Sequence, residues 1–405
     1  MSFNRYLEPD RKIRILESVS LCILIPLFLF LFISSMIRIN APVGELVFLG
    51  NIEMYRDREL EDYDENNTVC DVTYKNGDDS LIITYTYEEY EGLEDDSLTA
   101  YGYETENGTR LFFDHEGPTA EEIKATYRQV KTDEMMPKLN ISIALAILAL
   151  SVGVMLGYGA FFSTYEKCWF LSIMVLATIA AILFPEESAN GVNGVVIMFL
   201  YLLDTFLNIL CELLISKQSR YNFLVSVLVE ITEIVICIVL MYRFATMVTT
   251  LFFWLPIDIL SFINWSKHKD QQEDELTAVR RLKGYQEVLI IIAIAVWTIV
   301  VGYFISGLDI KTDFINNKSI ETLVAYLDAC ASAVGVANGL FIFFRLREQW
   351  IAWYVNALLE SVINIISGQY VLLILKLGYF TNTTYGYIKW SRYIASRGEE
   401  KGSLF

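Results

Sequence analysis

FINWSKHK, Phe262 to Lys269, and GYIKWSRY, Gly386 to Tyr393, are the stretches whose comparison decides the fold. Each closes a long apolar run with Trp-Ser and a basic residue, and Trp265 aligns with Trp390 at a shift of 125 residues. Asp204 and Asp328 open polar rows on two apolar stretches at a shift of 124, and the basic turn before Tyr221 corresponds to that before Trp350 at a shift of 129. Three markers in one order at nearly one shift predict a duplication. The unit is three helices, 193–264 and 322–390. One intervening helix, 286–305, lets both copies cross a membrane in the same direction, and a parallel repeat of this kind places a substrate site near the midplane between the halves.

Outward from these repeats, apolar blocks run over 139–163, 168–184, 193–215, 222–242, 245–264, 286–305, 322–344, 350–367 and 370–388. With Val19 to Ile37 they predict ten transmembrane helices, since about 20 apolar residues span the hydrocarbon core. Basic residues recur in every second connection: Arg5 to Arg14, Lys217 and Arg220, Lys267 to Lys283, Arg345 and Arg347, and Lys389 to Arg397. Lys311 and Lys318 are mild exceptions. The positive-inside rule therefore predicts cytoplasmic termini, an uncleaved anchor at 19–37, and a cell-membrane location.

The net charge of −18 is confined to one segment. Asn40 to Met136 holds 25 acidic and 7 basic residues, leaving 24 of each elsewhere. Alternating stretches such as SLIITYTYEEY and TRLFFD, separated by Asn, Gly and Asp turns, predict a small β-rich extracytoplasmic domain ending in the helical TAEEIKATYRQ. Its charge pattern suits a solvated spacer or assembly domain. Nucleic acid is disfavoured as a partner, because the cations form short clusters at helix ends. Cys70 alone lies in the acidic segment, which excludes a disulfide inside it, and His115 and His268 are too far apart in sequence to suggest zinc. No phosphate-binding Gly-rich loop, paired-histidine motif or nucleophile beside a base is present, so neither catalysis, ATP coupling nor a cofactor is expected.

The run REQWIAWYVNALLES, Arg347 to Ser361, carries the candidate site. On a helix, Trp350, Trp353, Asn356 and Glu360 share a face roughly 120° wide at 100° per residue. Trp350, near the helix end, also suits an interfacial belt, whereas Trp353 and Asn356 lie deeper, where an amide needs a partner. Asp204, Asn208 and Glu212 form an i, i+4, i+8 row, and Asp258, Asp328 and Asn382 are further polar groups at membrane depth. Arg243 and Lys376 are the only cations placed to pair with them, so the surplus carboxyls are protonated, hydrated or neutralised by a cationic ligand. Glu230 and Glu233 are expected to point away from the face equivalent to Trp350, Trp353 and Asn356.

SRYNF, LFFWLPIDILSFINWSKHK, DELTAVRRLKG, YLDACASAVGVANGLFIFFRLREQWIAWYVN and NTTYGYIKW, in this order, resemble the PnuC family of vitamin-precursor transporters over about 168–390. The resemblance implies an all-α polytopic protein with a SWEET-like arrangement of three, one and three helices. It also implies facilitated diffusion of nicotinamide riboside, or of a relative such as thiamine or riboflavin, drawn inward by a cytosolic kinase. The family's aromatic and amide binding pattern maps onto Trp350, Trp353 and Asn356, with Asn382 and Tyr385. The chain departs from that pattern in having Asp258 after Leu-Pro, Asn338-Gly339 where a second glutamine is usual, and Val227 for an asparagine. Asp258 in place of a neutral amide predicts a positively charged substrate. A non-transporting receptor or assembly protein on the same core is the competing reading, and a homo-oligomer is left open. Read along the chain, the parts are a cytoplasmic N-terminus and anchor (1–38), the acidic domain (39–137) and a returning helix (138–166), which have no counterpart in the family, then the transporter domain (167–391) and a cytoplasmic tail (392–405).

Overall fold

The computed structural model describes residues 11–58, 62–64, 69–93, 95–157, 161–186, 192–240, 243–268, 280–307 and 318–397. Lys269, Lys311, the start of DELTAVRRLKG and the tail from Gly398 lie outside them. Two compact units are present: Leu31–Leu139, and Asn140 onward together with the chain up to Phe30.

The smaller unit is built on six antiparallel strands: β1 (Leu46–Arg56), β2 (Asp62–Asp64), β3 (Val69–Asn76), β4 (Asp79–Thr86), β5 (Ser97–Thr105) and β6 (Arg110–Phe113). β1 pairs with β5 from Leu46 opposite Thr105 to Tyr55 opposite Ser97, with a bulge between Phe48 and Gly50. β3 pairs with β4 along its length, with β2 near its start and with β1 at its end. The loop Gly77–Asp78 between β3 and β4 needs a left-handed residue, and Gly77 supplies it at φ 64. The period-two pattern of β4 half-buries alternate residues against a core of Met54, Cys70, Val72, Tyr74, Ala100 and Phe112. A short helix, α2 (Tyr87–Glu91), starts on a capping box in which the Thr86 side chain accepts from Glu89 N and Glu89 accepts from Thr86 N.

Each apolar block forms a helix over most of its described residues. They form α1 (Arg11–Ile39), α3 (Ala120–Gly157), α4 (Thr164–Leu183), α5 (Gly194–Ser216), α6 (Asn222–Leu240), α7 (Phe244–Thr249) and α8 (Leu255–Lys267), then α9 (Gly284–Ser306), α10 (Lys318–Phe343), α11 (Gln349–Ile366) and α12 (Tyr370–Arg397). α7 and α8 are joined by a π-helical turn, Thr250–Trp254, into one span. Among the described residues eight spans, not the ten predicted, are long and apolar enough to cross a membrane, which makes this a multi-pass membrane protein. α11 and α12 are not among those eight, because Asn356, Glu360, Asn364, Lys376 and Asn382 dilute their apolar character. The helix expected within TAEEIKATYRQ is not separate: it runs without interruption, through Pro137, into the following apolar block as α3.

The duplication is visible in atomic detail, at a shift of 127 residues around the turn after each first helix. Gln218 and Arg345 both adopt the left-handed region, at φ 57 and 61. Ser219 N donates to Leu214 O at 3.0 Å, and Leu346 N to Phe341 O at 2.8 Å. Phe223 meets Trp265 edge-on at 5.1 Å and 88°, as Trp350 meets Trp390 at 5.6 Å and 89°. The Arg220 guanidinium lies over Phe262 and that of Arg347 over Tyr387, and Trp265 and Trp390 touch each other at 6.1 Å. The third helix of each run packs on the first helix of the other, α8 on α10 and α12 on α5. This register pairs Phe223, not Tyr221, with Trp350, and it places Glu233 where the second run has Glu360.

Candidate functional site

Between the two three-helix runs lies a cavity of about 90 Å³, bounded by residues of α5, α6, α7, α8, α10, α11 and α12. Six carboxyl groups line it: Asp204 and Glu212 from α5, Glu230 and Glu233 from α6, Asp258 from α8 and Glu360 from α11. Among the described residues only two cations join them, Arg243 and Lys376. The expectation that Glu230 and Glu233 point away is therefore overturned. It rested on a shift of 129, and at the observed 127 Glu233 occupies the position of Glu360, on the inward face.

Both cations are engaged by one carboxylate. Arg243 Nη2 donates to Glu360 Oε1 at 2.5 Å, and Lys376 forms an ion pair with Glu360 Oε2. Arg243 Nε lies 3.9 Å from Asp328 Oδ1, while Asp328 also accepts from Ala245 N at 3.0 Å and from the Thr246 hydroxyl at 2.5 Å. This cluster ties the α6–α7 junction to α10, α11 and α12. The other carboxyls lack such a counter-charge. Asp204 Oδ1, Glu212 Oε1, Glu230 Oε2 and Asp258 Oδ2 are buried without a hydrogen-bond partner among the described residues. Glu233 accepts from the Thr250 hydroxyl at 3.0 Å, at the π-helical turn. A charge at membrane depth costs about 2.5–3.5 kcal/mol on insertion scales, so any of these carboxyls that is ionised calls for a cation placed beside it.

Trp353 supplies an aromatic wall and is oriented by its neighbours. Turned so that its nitrogen donates to Gln349 O at 3.0 Å, the Asn338 amide accepts from Trp353 Nε1 at 3.1 Å. The Trp353 ring packs against Tyr379 at 5.1 Å. Tyr379 in turn donates to Asn208 Oδ1 at 2.5 Å and carries the Lys376 ammonium 4.7 Å above its ring centre. Asn356 lines the cavity with its Oδ1 unpartnered, one turn along α11 from Trp353.

The sequence-derived residues thus divide. Trp353, Asn356, Asp258 and Glu360 line the cavity. Asn338 stands behind Trp353, and Asn382 stands behind Glu212, donating to its Oε2 at 2.8 Å. Trp350 does not reach the cavity: it is fully buried against Trp390, on the side where Gly386 leaves room for its ring. Tyr385 is also elsewhere, donating to Glu166 Oε1 at 3.2 Å and packing on Tyr165 at 5.0 Å. Trp254 and Tyr379 are lining residues that the helical pattern did not single out; Trp254 sits in the π-helical turn, where a 100° period misplaces it.

Residues 198–392 match the family model described as nicotinamide mononucleotide transporter. The curated nicotinamide riboside transporter PnuC of Neisseria mucosa is 21% identical over 236 residues, 57% of this chain and 82% of its own length. A crystal structure of the vitamin B3 transporter PnuC aligns with 58% of this chain and 94% of its own at 20% identity, with a TM-score of 0.45.

Proposed function

We propose that this chain, whose residues 198–392 resemble the nicotinamide mononucleotide transporter family, carries a cationic vitamin precursor, foremost nicotinamide riboside, across the cell membrane. The observation that carries this reading is the cavity itself. A flat cationic ring finds an indole and a phenol to stack on, an amide oxygen to accept from it, and carboxyls in excess of cations. The cavity lies between two corresponding three-helix runs with α9 as their link, a SWEET-like arrangement of three, one and three helices. Small rotations of one run against the other would open it to alternate sides.

With the basic connections facing the cytosol, both termini are cytoplasmic and the sheet unit is outside. Movement is facilitated diffusion, and phosphorylation of the arriving substrate by a cytosolic kinase makes it inward. Uptake of labelled nicotinamide riboside, thiamine and riboflavin into liposomes holding the pure protein tests this. Saturable uptake of nicotinamide riboside is expected; binding without any uptake would leave a receptor and reject transport.

A further inference from the structure

Trp254 of the first three-helix run lines the same cavity as Trp353 of the second. It closes the π-helical turn Thr250–Trp254, and at the shift of 125 that relates Trp265 to Trp390 it corresponds to Tyr379. A π-helical turn inside an α-helix re-aims the side chains at its end, and such turns are frequent at functional sites. The turn is anchored at its start, where the Thr250 hydroxyl donates to Glu233 Oε2 at 3.0 Å. At its end the Trp254 indole reaches α10.

One turn of α10 places both indoles. Gly335, Asn338 and Gly339, at i, i+3 and i+4, are neighbours on one helix face. A Cβ on Gly335 would stand 3.6 Å from Trp254 Nε1, so the indole lies over that glycine, which itself lines the cavity. A Cβ on Gly339 would stand 2.5 Å from Phe253 Cε1 and 3.3 Å from Trp254 Cζ3. The missing side chain there is what admits these two rings, which meet edge-on at 5.8 Å and 77°. Asn338, between the two glycines, accepts from Trp353 Nε1 at 3.1 Å once turned as described above. Trp254 and Trp353 are thereby held at one level of the bundle, one from each run.

The two indoles are held differently. Trp353 is fixed by its hydrogen bond to Asn338 and by the Tyr379 ring at 5.1 Å, whereas Trp254 is set by the π-helical turn and by its contacts with Phe253 and Gly335. At about 90 Å³ the cavity is smaller than the roughly 300–1,000 Å³ of small-molecule sites, so a ring enters only if a wall yields. Resting on the reading of this cavity as the site of a flat cationic ring, we propose that Trp254 is its second wall: the indole moves off Gly335 to admit the ring and closes on the face opposite Trp353. Such a slot prefers a planar aromatic cation, a pyridinium or a thiazolium, to an aliphatic one of the same charge, since only a flat ring presents a face to each indole. The surplus carboxyls alone do not make that distinction.

Titration of the full chain in detergent with nicotinamide riboside and with 1-methylnicotinamide, followed by calorimetry and by difference absorption, tests the proposal. An indole stacked on a pyridinium gives a charge-transfer band, and the parent should show one with either ligand. Trp254→Leu should weaken both ligands on the order of tenfold and cut the band to about half, and Trp353→Leu should do the same. Trp254→Phe keeps a ring, so it should keep most of the affinity while losing the same part of the band; it decides the matter should Trp254→Leu not fold. Gly339→Ala, at a position outside the cavity lining, should weaken binding by displacing Phe253 and Trp254. A Trp254→Leu protein with the parent's affinity and band, or a Trp254→Phe protein with the parent's band, would overturn the second wall and leave the transport reading standing. A parent that binds neither ligand would take down that reading and the second wall with it.

Discussion

Trp353 and Asn356 are one helical turn apart on α11 and meet the cavity together, with Asn338 fixing the indole. Removing an aromatic ring on which a base stacks typically costs about 1–3 kcal/mol. Trp353→Ala and Asn356→Ala are therefore expected to weaken nicotinamide riboside binding on the order of tenfold or more with little change in the amount of folded protein, as measured by calorimetry and gel filtration. Normal binding by both would make this face structural. Asp258 provides a sharper test, since its carboxyl lines the cavity with Oδ2 unpartnered. If it acts through charge, Asp258→Asn should weaken a pyridinium ligand more than its uncharged reduced analogue, because charges interact strongly where water is scarce. Equal effects on both ligands would reject selection by charge. The positions of Trp353 and Asn356 were legible because helical periodicity and depth in the membrane are local properties. The burial of Trp350 was not, because it depends on Gly386, a residue on another helix whose missing side chain opens the space.

At the scale of the elements, the helices were legible in their apolar blocks, and their joints were not. α3 extends through what reads as a domain boundary, and the span from Phe244 to Lys267 contains a π-helical turn that shifts the residues beyond it. The convergence of Arg243, Asp328, Glu360 and Lys376 also depends on how four elements meet, although Arg243 and Lys376 stood out as the available cations. Glu360 is the centre of that cluster, holding both cations. Glu360→Ala removes the carboxylate that both buried cations share, and breaking a buried pair in this way costs about 3–5 kcal/mol. Lys376→Met removes one cation and leaves the Arg243–Glu360 bond intact. Thermal unfolding in detergent should therefore show a larger fall in midpoint for Glu360→Ala than for Lys376→Met. The reverse order would mean that Lys376, not Glu360, organises the cluster.

Across the whole molecule, the acidic β-rich segment and the duplicated bundle were both readable from charge and from the Trp265 and Trp390 markers. The register between the runs came out at 127 around the first turn, where the sequence markers scattered from 124 to 129, because polar rows and turns are conspicuous but do not fix a helical phase. Every residue lining the inter-run cavity falls between Asp204 and Tyr379. The sheet and its core fall wholly in Leu31–Leu139, a separate compact unit. The window of α1 that could cross the membrane is almost entirely exposed, with only 6% of it buried inside the protein. The second half of α3, by contrast, contributes Ala144, Ile147 and Met155 to the main core with Phe170 and Ile173 of α4. A chain lacking residues 1–138 but keeping the rest of α3 therefore retains all the cavity and nearly all the packing around it. It is expected to bind and take up nicotinamide riboside in proteoliposomes at rates close to the parent's, per molecule inserted. A truncated protein that is monodisperse and correctly inserted, yet neither binds nor transports, would show that the sheet unit takes part in the pathway itself.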